Sequence, residues 1–291
     1  MIHRFRGSAV MRVVTLALAD GMLFSLTACG SNTTEQSATT TETPVETSTI
    51  ILASTTSTQD SGLFDVLIPA FEKAYPQYKV EVIAKGTGEA LELGKNKDAD
   101  VLLVHAKAKE EEFVGAGYGT KRTDVMYNDF IIVGPASDPA GIKGMTSAAE
   151  AFKKIKAAEA TFVSRGDDSG THTKEMAIWK EAGESTPTAS WYQSAGKGMG
   201  DVLTMASEQG AYTLADRATY LAMKDNLKLE ILVEGDKSLF NQYGVIPVAG
   251  AANPEGAQAF ADWIVSDEGQ SVIASYGVDT YGQQLFIPNA P

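Results

Sequence analysis

The chain has 291 residues, 44% of them hydrophobic, with 37 acidic against 24 basic side chains and a net charge of −13. That suffices for one large or two modest domains with true cores, and it excludes a nucleic-acid or anionic-membrane-surface partner, because phosphate backbones need clustered Lys and Arg. Any anion the protein holds must therefore be gripped by local donors.

The N-terminus reads as an export signal. Arg4, Arg6 and Arg12 precede an apolar run from Val13 to Ala28, and Met11 is a second candidate start. The run ends in Leu26-Thr27-Ala28-Cys29, a string that resembles the lipobox of bacterial lipoproteins. By that resemblance residues 1–28 are a signal peptide, and Cys29, the only cysteine, is lipidated and becomes the new N-terminus. A transmembrane anchor is the competing reading, but the run is short of a full span and broken by Asp20. Residues 29–48, rich in Thr, Ser and Glu, read as a flexible tether.

From Ser48 onward short apolar runs alternate with amphipathic stretches, which implies βα units and a mainly parallel sheet. A strand is expected over Thr49–Ala53, then a hydroxyl-rich loop Ser54–Thr58, then a helix over about Ser61–Ala74 that Pro69 can kink or split. A strand over Val80–Ala84 runs into Gly86-Thr87-Gly88 and a short helix. Asp100–Val104 reads as a strand and Ala106–Ala116 as a surface helix.

Val125–Val133 reads as a long extended segment, and a helix follows near Ser147–Ala158. Next come a strand over Thr161–Val163, the loop Ser164–Thr171, and a helix over about Gly170–Ala182. Trp191 and Tyr192 read as core residues for their area, with a rim over a cleft as the competing use. Gly196–Gly200 opens another helix. Ala211–Leu214, Leu229–Val233 and Tyr243–Val248 are strand-like, Asp216–Met223 is helical, and helices close the chain around Glu255–Ile264 and Glu268–Tyr276. The outcome is two α/β lobes with Val125–Val133 and Tyr243–Val248 as candidate crossovers.

Three hydroxyl-rich or glycine-rich loops each follow a strand and precede a helix: Ser54–Thr58, Gly86–Gly88 and Ser164–Thr171. Ligands of open α/β sheets bind at the C-terminal ends of strands, so these loops can converge on one pocket. They offer donors: hydroxyls, backbone N–H groups at helix starts, and the Arg165 guanidinium, which together suit a compact oxyanion. Each loop also reads as a plain helix cap. The run Arg165-Gly166-Asp167-Asp168-Ser169-Gly170-Thr171 is the more specific, since a cap needs no arginine.

Several strings in order carry a resemblance. Ser54-Thr55-Thr56-Ser57-Thr58-Gln59-Asp60-Ser61-Gly62-Leu63, Ala99–His105, Met126–Phe130, Ser164–His172, Gly210–Arg217 and Leu232–Asp236 are together similar to the solute-binding protein of the bacterial tungstate ABC transporter, over a stretch from about Ile50 to the C-terminus. The resemblance implies an α/β, two-lobe type II periplasmic-binding-protein fold with mixed, mainly parallel sheets and a double crossover hinge. It divides the chain into lobe I (49–133 plus 244–291) and lobe II (134–243). It also implies that Thr55, Thr56 and Ser57 from one lobe and Arg165, Ser169 and Thr171 from the other grip the anion. Ser54, Thr87, Ser164 and the Gly170 N–H are secondary candidates. The family's first loop usually reads Thr-Thr-Thr-Ser, and Ser54 departs from it by one methyl group while keeping the hydroxyl.

The resemblance further implies capture of tungstate outside the cytoplasm by a monomer anchored through Cys29, delivery to an ABC permease, no cofactor and no metal beyond the ligand itself. Molybdate and phosphate remain alternatives. Tungstate and molybdate are dianions that only accept hydrogen bonds, whereas hydrogen phosphate also donates one. Asp167 and Asp168 are therefore expected to face away from the ligand, one capping the helix and the other tied to Arg165 or a backbone N–H.

The competing classes are a non-transport sensory lipoprotein and a hydrolase. Gly166–Gly170 superficially resembles a serine-protease nucleophile loop, but His172 is too near in sequence for a triad, and His105 has no metal-type spacing around it.

Overall fold

The computed structural model describes residues 47–291. The expected signal peptide, Cys29 and nearly all of the expected tether lie outside the described residues. The first part of the chain contains β1 (Ser48–Thr55), α1 (Thr56–Asp60), α2 (Phe64–Ala74), β2 (Tyr78–Lys85), α3 (Thr87–Asn96), β3 (Val101–Val104), α4 (Lys107–Gly115) and the long β4 (Thr123–Pro135). Then follow α5 (Ala148–Ala157), β5 (Phe162–Ser164), α6 (Gly170–Glu181), β6 (Tyr192–Ser194), α7 (Met199–Gln209), β7 (Thr213–Asp216), α8 (Arg217–Met223) and β8 (Leu229–Val233). The last part holds β9 (Phe240–Pro247), α9 (Pro254–Ile264), α10 (Asp267–Ser275), α11 (Val278–Tyr281) and β10 (Ile287–Pro288). No helix among the described residues is long and apolar enough to cross a membrane.

Two expectations at the start of the domain change. The loop expected at Ser54–Thr58 does not form, because β1 continues to Thr55, whose extended backbone and side chain cap α1 directly by accepting from the Thr58 N–H. The helix expected from Ser61 begins at Phe64 and runs unbroken through Pro69. Pro69 lacks the N–H that would meet the Asp65 carbonyl, and burial of Phe64, Leu67 and Phe71 on one face holds the helix across that single missing bond.

The main sheet is mixed. Its order is β10-β4-β9-β3-β1-β2, with β7 and β8 joined to β4 as well. β1 runs parallel to β2 and β3, whereas β9 is antiparallel to β3 and β4. β5 and β6 form a separate parallel pair.

Strand β3 is apolar throughout because both faces are covered. Val101 and Leu103 face a core with Phe71 of α2 and Phe260 and Trp263 of α9, while Leu102 and Val104 face a second core with Leu91 of α3 and Phe113 of α4. β4 passes from one group of cores to another. Val125 and Met126 belong to the first group. Phe130 and Ile132 pack with Phe152 and Trp179, and Ile131 and Val133 pack with Val202 and Leu203 of α7. Trp191 and Tyr192 pack against the core that holds Trp179, as their area suggests. Lys174 of α6 donates to the Ser238 and Phe240 carbonyls at 2.7 and 2.9 Å, tying this helix to the start of β9.

Glu175 anchors α6 from within. Buried without a cation partner, its carboxylate accepts from Ser164 Oγ (2.7 Å), Tyr192 Oη (2.7 Å) and Trp179 Nε1 (3.2 Å), so it joins β5, β6 and α6. Burial pushes its pKa up from an ordinary 4.5 to about 7, against the pull of those three donors. A carboxyl raised on folding stabilises the folded state fully below its unfolded pKa, and the contribution is lost as pH rises through the folded value. Unfolding free energy from urea titrations should therefore fall between pH 4.5 and pH 7. Glu175→Gln should flatten that fall by up to about 3 kcal/mol. An unchanged pH slope in the variant would show that Glu175 does not titrate in this range.

Candidate functional site

Three of the turns from a strand end into a helix start come together: Thr55 into α1, Gly86 into α3, and Ser164 through Arg165–Ser169 into α6. These three starts meet. Arg165 Nη2 donates to Thr56 Oγ1 at 2.9 Å, and the Gly88 N–H donates to the Asp168 carbonyl at 3.3 Å. A Cβ on Gly88 would meet the exposed Asp168 carboxylate and lie 3.3 Å from the Asp168 carbonyl oxygen, so the two starts approach closely here. Thr55, Ser57, Thr87, Ser169 and Thr171 are all buried although each stands at a helix start.

Arg165 is 1% exposed. Its Nε and Nη2 both donate to Asp167 Oδ2, at 3.2 and 2.5 Å, while Nη1 has no hydrogen-bond partner among the described residues. Thr87 Oγ1 and Thr171 Oγ1 are likewise buried and unpartnered. Three such atoms, one of them on a cation, mark a place for an acceptor, because an unmet buried donor carries the full desolvation penalty.

Of the two aspartates, Asp167 sits as expected and Asp168 does not. Asp167 is tied to Arg165, and its second oxygen accepts the Ser169 N–H at 3.2 Å. Neither aspartate side chain caps α6. The cap is Ser169, whose Oγ accepts the His172 N–H at 3.1 Å. Asp168 turns outward in a left-handed backbone (φ 57°) and pairs with Lys109 of α4. Its N–H donates to His172 Nδ1 at 3.1 Å, which occupies that ring nitrogen.

The junction of β1 and α1 is a closed hydroxyl cluster. Thr55 Oγ1 lies 2.8 Å from Thr58 Oγ1 and 3.1 Å from Ser57 Oγ, and both Thr55 and Ser57 reach His105 Nε2. Thr56 Oγ1 accepts from Arg165, which leaves its own proton to donate. As the first two residues of α1, Thr56 and Ser57 also present N–H groups with no intrahelical acceptor, as do Gly170 and Thr171 on α6. Two secondary candidates have their hydroxyl protons engaged elsewhere. Ser54 Oγ donates to the Leu103 carbonyl at 2.6 Å, and Ser164 Oγ donates to Glu175.

Further contacts close the two sides on each other. The Gly200 N–H, near the start of α7, donates to Asp60 Oδ2 at 3.0 Å, so a residue at the end of α1 caps α7, whose own N-cap glycine has no side chain. Burial raises the Asp60 pKa, opposed by that N–H and by Arg165. Thr219 of α8 bridges the Ser57 carbonyl (3.0 Å) and Asp216, a fully buried carboxylate whose pKa burial raises to about 6. A surface groove of about 750 Å³ lies between α3 and α4, outside the cluster of unpartnered donors. Among the described residues no group of three or more His, Cys, Asp or Glu could hold a metal ion.

Asp60, His105, Thr219 and Asn241 were not anticipated at this place. His105 follows the C-terminal end of β3, where ligands of open α/β sheets gather, and that position was the available signal.

Comparison with known proteins agrees with this architecture. The PBP superfamily domain matches residues 33–268. A tungstate-binding protein TupA of Peptoclostridium acidaminophilum is 58% identical over 247 residues, 83% of this chain and 86% of the relative. Among solved structures, the tungstate ABC transporter protein from Geobacter sulfurreducens matches with a TM-score of 0.72 and 50% identity, over 78% of this chain and 98% of that one. The tungstate-binding protein TupA from Desulfovibrio alaskensis G20 matches with a TM-score of 0.68 and 46% identity, over 84% and 99%. The fold is that of a type II periplasmic binding protein, and the chain belongs to the PBP superfamily and, within it, to the TupA family of solute-binding proteins.

Proposed function

We propose that the protein captures tungstate outside the cytoplasm and delivers it to an ABC permease, closing lobe I (49–133 plus 244–291) and lobe II (134–243) on the anion across β4 and β9. The observation that carries this reading is that three buried, unpartnered donors, Arg165 Nη1, Thr87 Oγ1 and Thr171 Oγ1, stand at two helix starts, those of α3 and α6, which meet each other. Thr55, Thr56, Ser57, Arg165, Ser169 and Thr171 are the proposed grip, with Thr87 and the Gly170 N–H beside them. Ser54 and Ser164 brace the strand ends. The 58% identity to a tungstate-binding relative supports the choice of ligand.

The proton inventory supports a donor-only site. Asp167 is the carboxylate nearest the donors, and its oxygens are occupied by Arg165 and the Ser169 N–H. A fully deprotonated dianion such as tungstate needs no acceptor, whereas hydrogen phosphate would bring a proton with no carboxylate free to take it. Binding without a chemical step fits the serine as well. Ser169 Oγ caps α6 and has no histidine ring on it, and His172 faces the Asp168 N–H. Cys29 is proposed to carry the lipid anchor of a monomeric protein, and no cofactor is required.

Closure supplies the free-energy coupling. Donors of both lobes meet the anion together only in the closed form, so ligand binding shifts the population toward it. Calorimetric competition is expected to rank tungstate and molybdate above sulfate and phosphate. A higher affinity for phosphate would overturn the assignment. Arg165→Ala should cost about 1.5–3 kcal/mol of tungstate binding and Thr171→Ala only about 1 kcal/mol, because hydrogen bonds from charged donors are stronger.

A further inference from the structure

We propose that His105 is a positioning residue of the oxyanion site, whose Nε2 lone pair holds the Thr55 and Ser57 hydroxyls in place from the crossover strands. This rests on the oxyanion reading above and deepens it. Strand pairing sets Asn128 of β4 directly opposite Asn241 of β9. Asn241 Nδ2 donates to Asn128 Oδ1 at 2.7 Å and lies 3.4 Å from Tyr243 Oη, so the amide oxygen of Asn241 faces the imidazole. His105 Nδ1 is 3.0 Å from that oxygen and carries the ring proton. Nε2 is therefore an acceptor, and it faces Ser57 Oγ at 3.1 Å and Thr55 Oγ1 at 3.2 Å.

The ring is held on its flat sides too. It stacks on Tyr243 with centroids 4.7 Å apart, and a Cβ on Gly170, the first residue of α6, would lie 2.6 Å from its Nδ1 and Cε1. Burial keeps the ring neutral, its pKa lowered to about 3. A neutral ring adds no charge to the site, so its contribution is direction. One lone pair takes one proton, so only one of the two hydroxyls donates to Nε2. The other keeps a proton to give, and within the proposal it gives it to the ligand rather than to a neighbouring hydroxyl of the cluster. Without Nε2, the cluster of Thr55, Ser57 and Thr58 can satisfy itself internally, and its protons turn away from the anion.

Two measurements on the full chain test this. NMR detection of the imidazole nitrogens, with and without tungstate, is expected to show His105 protonated at Nδ1 and bare at Nε2; the opposite tautomer would overturn the proposal. Calorimetric titration with tungstate compares His105→Gln, which places an amide at the Nε2 position, with His105→Asn, which reaches only Asn241. Expected losses are about threefold for Gln and about tenfold or more for Asn, with the two variants unfolding at the same temperature when tungstate is absent. Equal losses in the two variants, or a loss in Asn that follows a lowered unfolding temperature, would reduce His105 to packing and overturn it. If the wild type itself fails to bind tungstate, the functional reading falls, and the tautomer measurement still decides the role of His105.

Discussion

A buried guanidinium is the constraint from which the rest of this structure follows. Arg165 is 1% exposed, which is affordable only because Asp167 takes two of its donors and Thr56 another. Those partners come from both sides of a cleft. Asp167 belongs to the loop before α6, while Thr56 opens α1 on the far side, so the arginine is fully enclosed only when the sides meet. Its remaining nitrogen, Nη1, is buried and unpartnered, as are the hydroxyls of Thr87 on α3 and Thr171 on α6. Packing, closure and recognition thus depend on the same side chain.

Several contacts across the cleft are polar, which suits a protein that must open again. The Gly88 N–H meets a carbonyl, the Gly200 N–H meets Asp60, Thr219 meets the Ser57 carbonyl, and Lys109 meets the outward-turned Asp168. Neutral hydrogen bonds of this kind contribute about 0.5–1.5 kcal/mol each, and an exposed ion pair contributes less. Each group also finds water when the cleft opens, so none of them locks it. β4 carries residues of both groups of apolar cores, and so does α8, whose Ala218 lies in the core of α2 and α9 while its Tyr220 lies in the core of α7.

Much of the fold is legible from periodicity. The β3 run Val101–Val104 and the β4 run Phe130–Val133 are apolar at every position, and each proves to be covered on both faces. Less legible were features decided by single hydrogen bonds. That Thr55 ends a strand and caps a helix at once, with no loop between, depends on one N–H from Thr58. That Ser169 rather than an aspartate caps α6 depends on Arg165 having already taken Asp167. From its local sequence His105 reads only as a metal or catalytic group. Its neighbours Asn241 and Ser57 stand 136 and 48 residues away in the chain, a relation that no local pattern carries.

The electrostatics of the proposed site resolve an apparent conflict, since a chain of net charge −13 is an unpromising partner for a dianion. Local charge does not solve it by itself. The Arg165 cation is matched by Asp167, and the fields of Asp60 and Asp216 also reach it. What the cluster supplies instead is oriented dipoles: N–H groups at the starts of α1, α3 and α6, and hydroxyls whose acceptor roles are filled from behind. Thr56 Oγ1 accepts from Arg165, and Ser169 Oγ accepts from the His172 N–H. A hydroxyl that already accepts has its proton free to give. The site is built to donate without being strongly positive, and such a site reads the geometry of an anion's oxygens more than its charge.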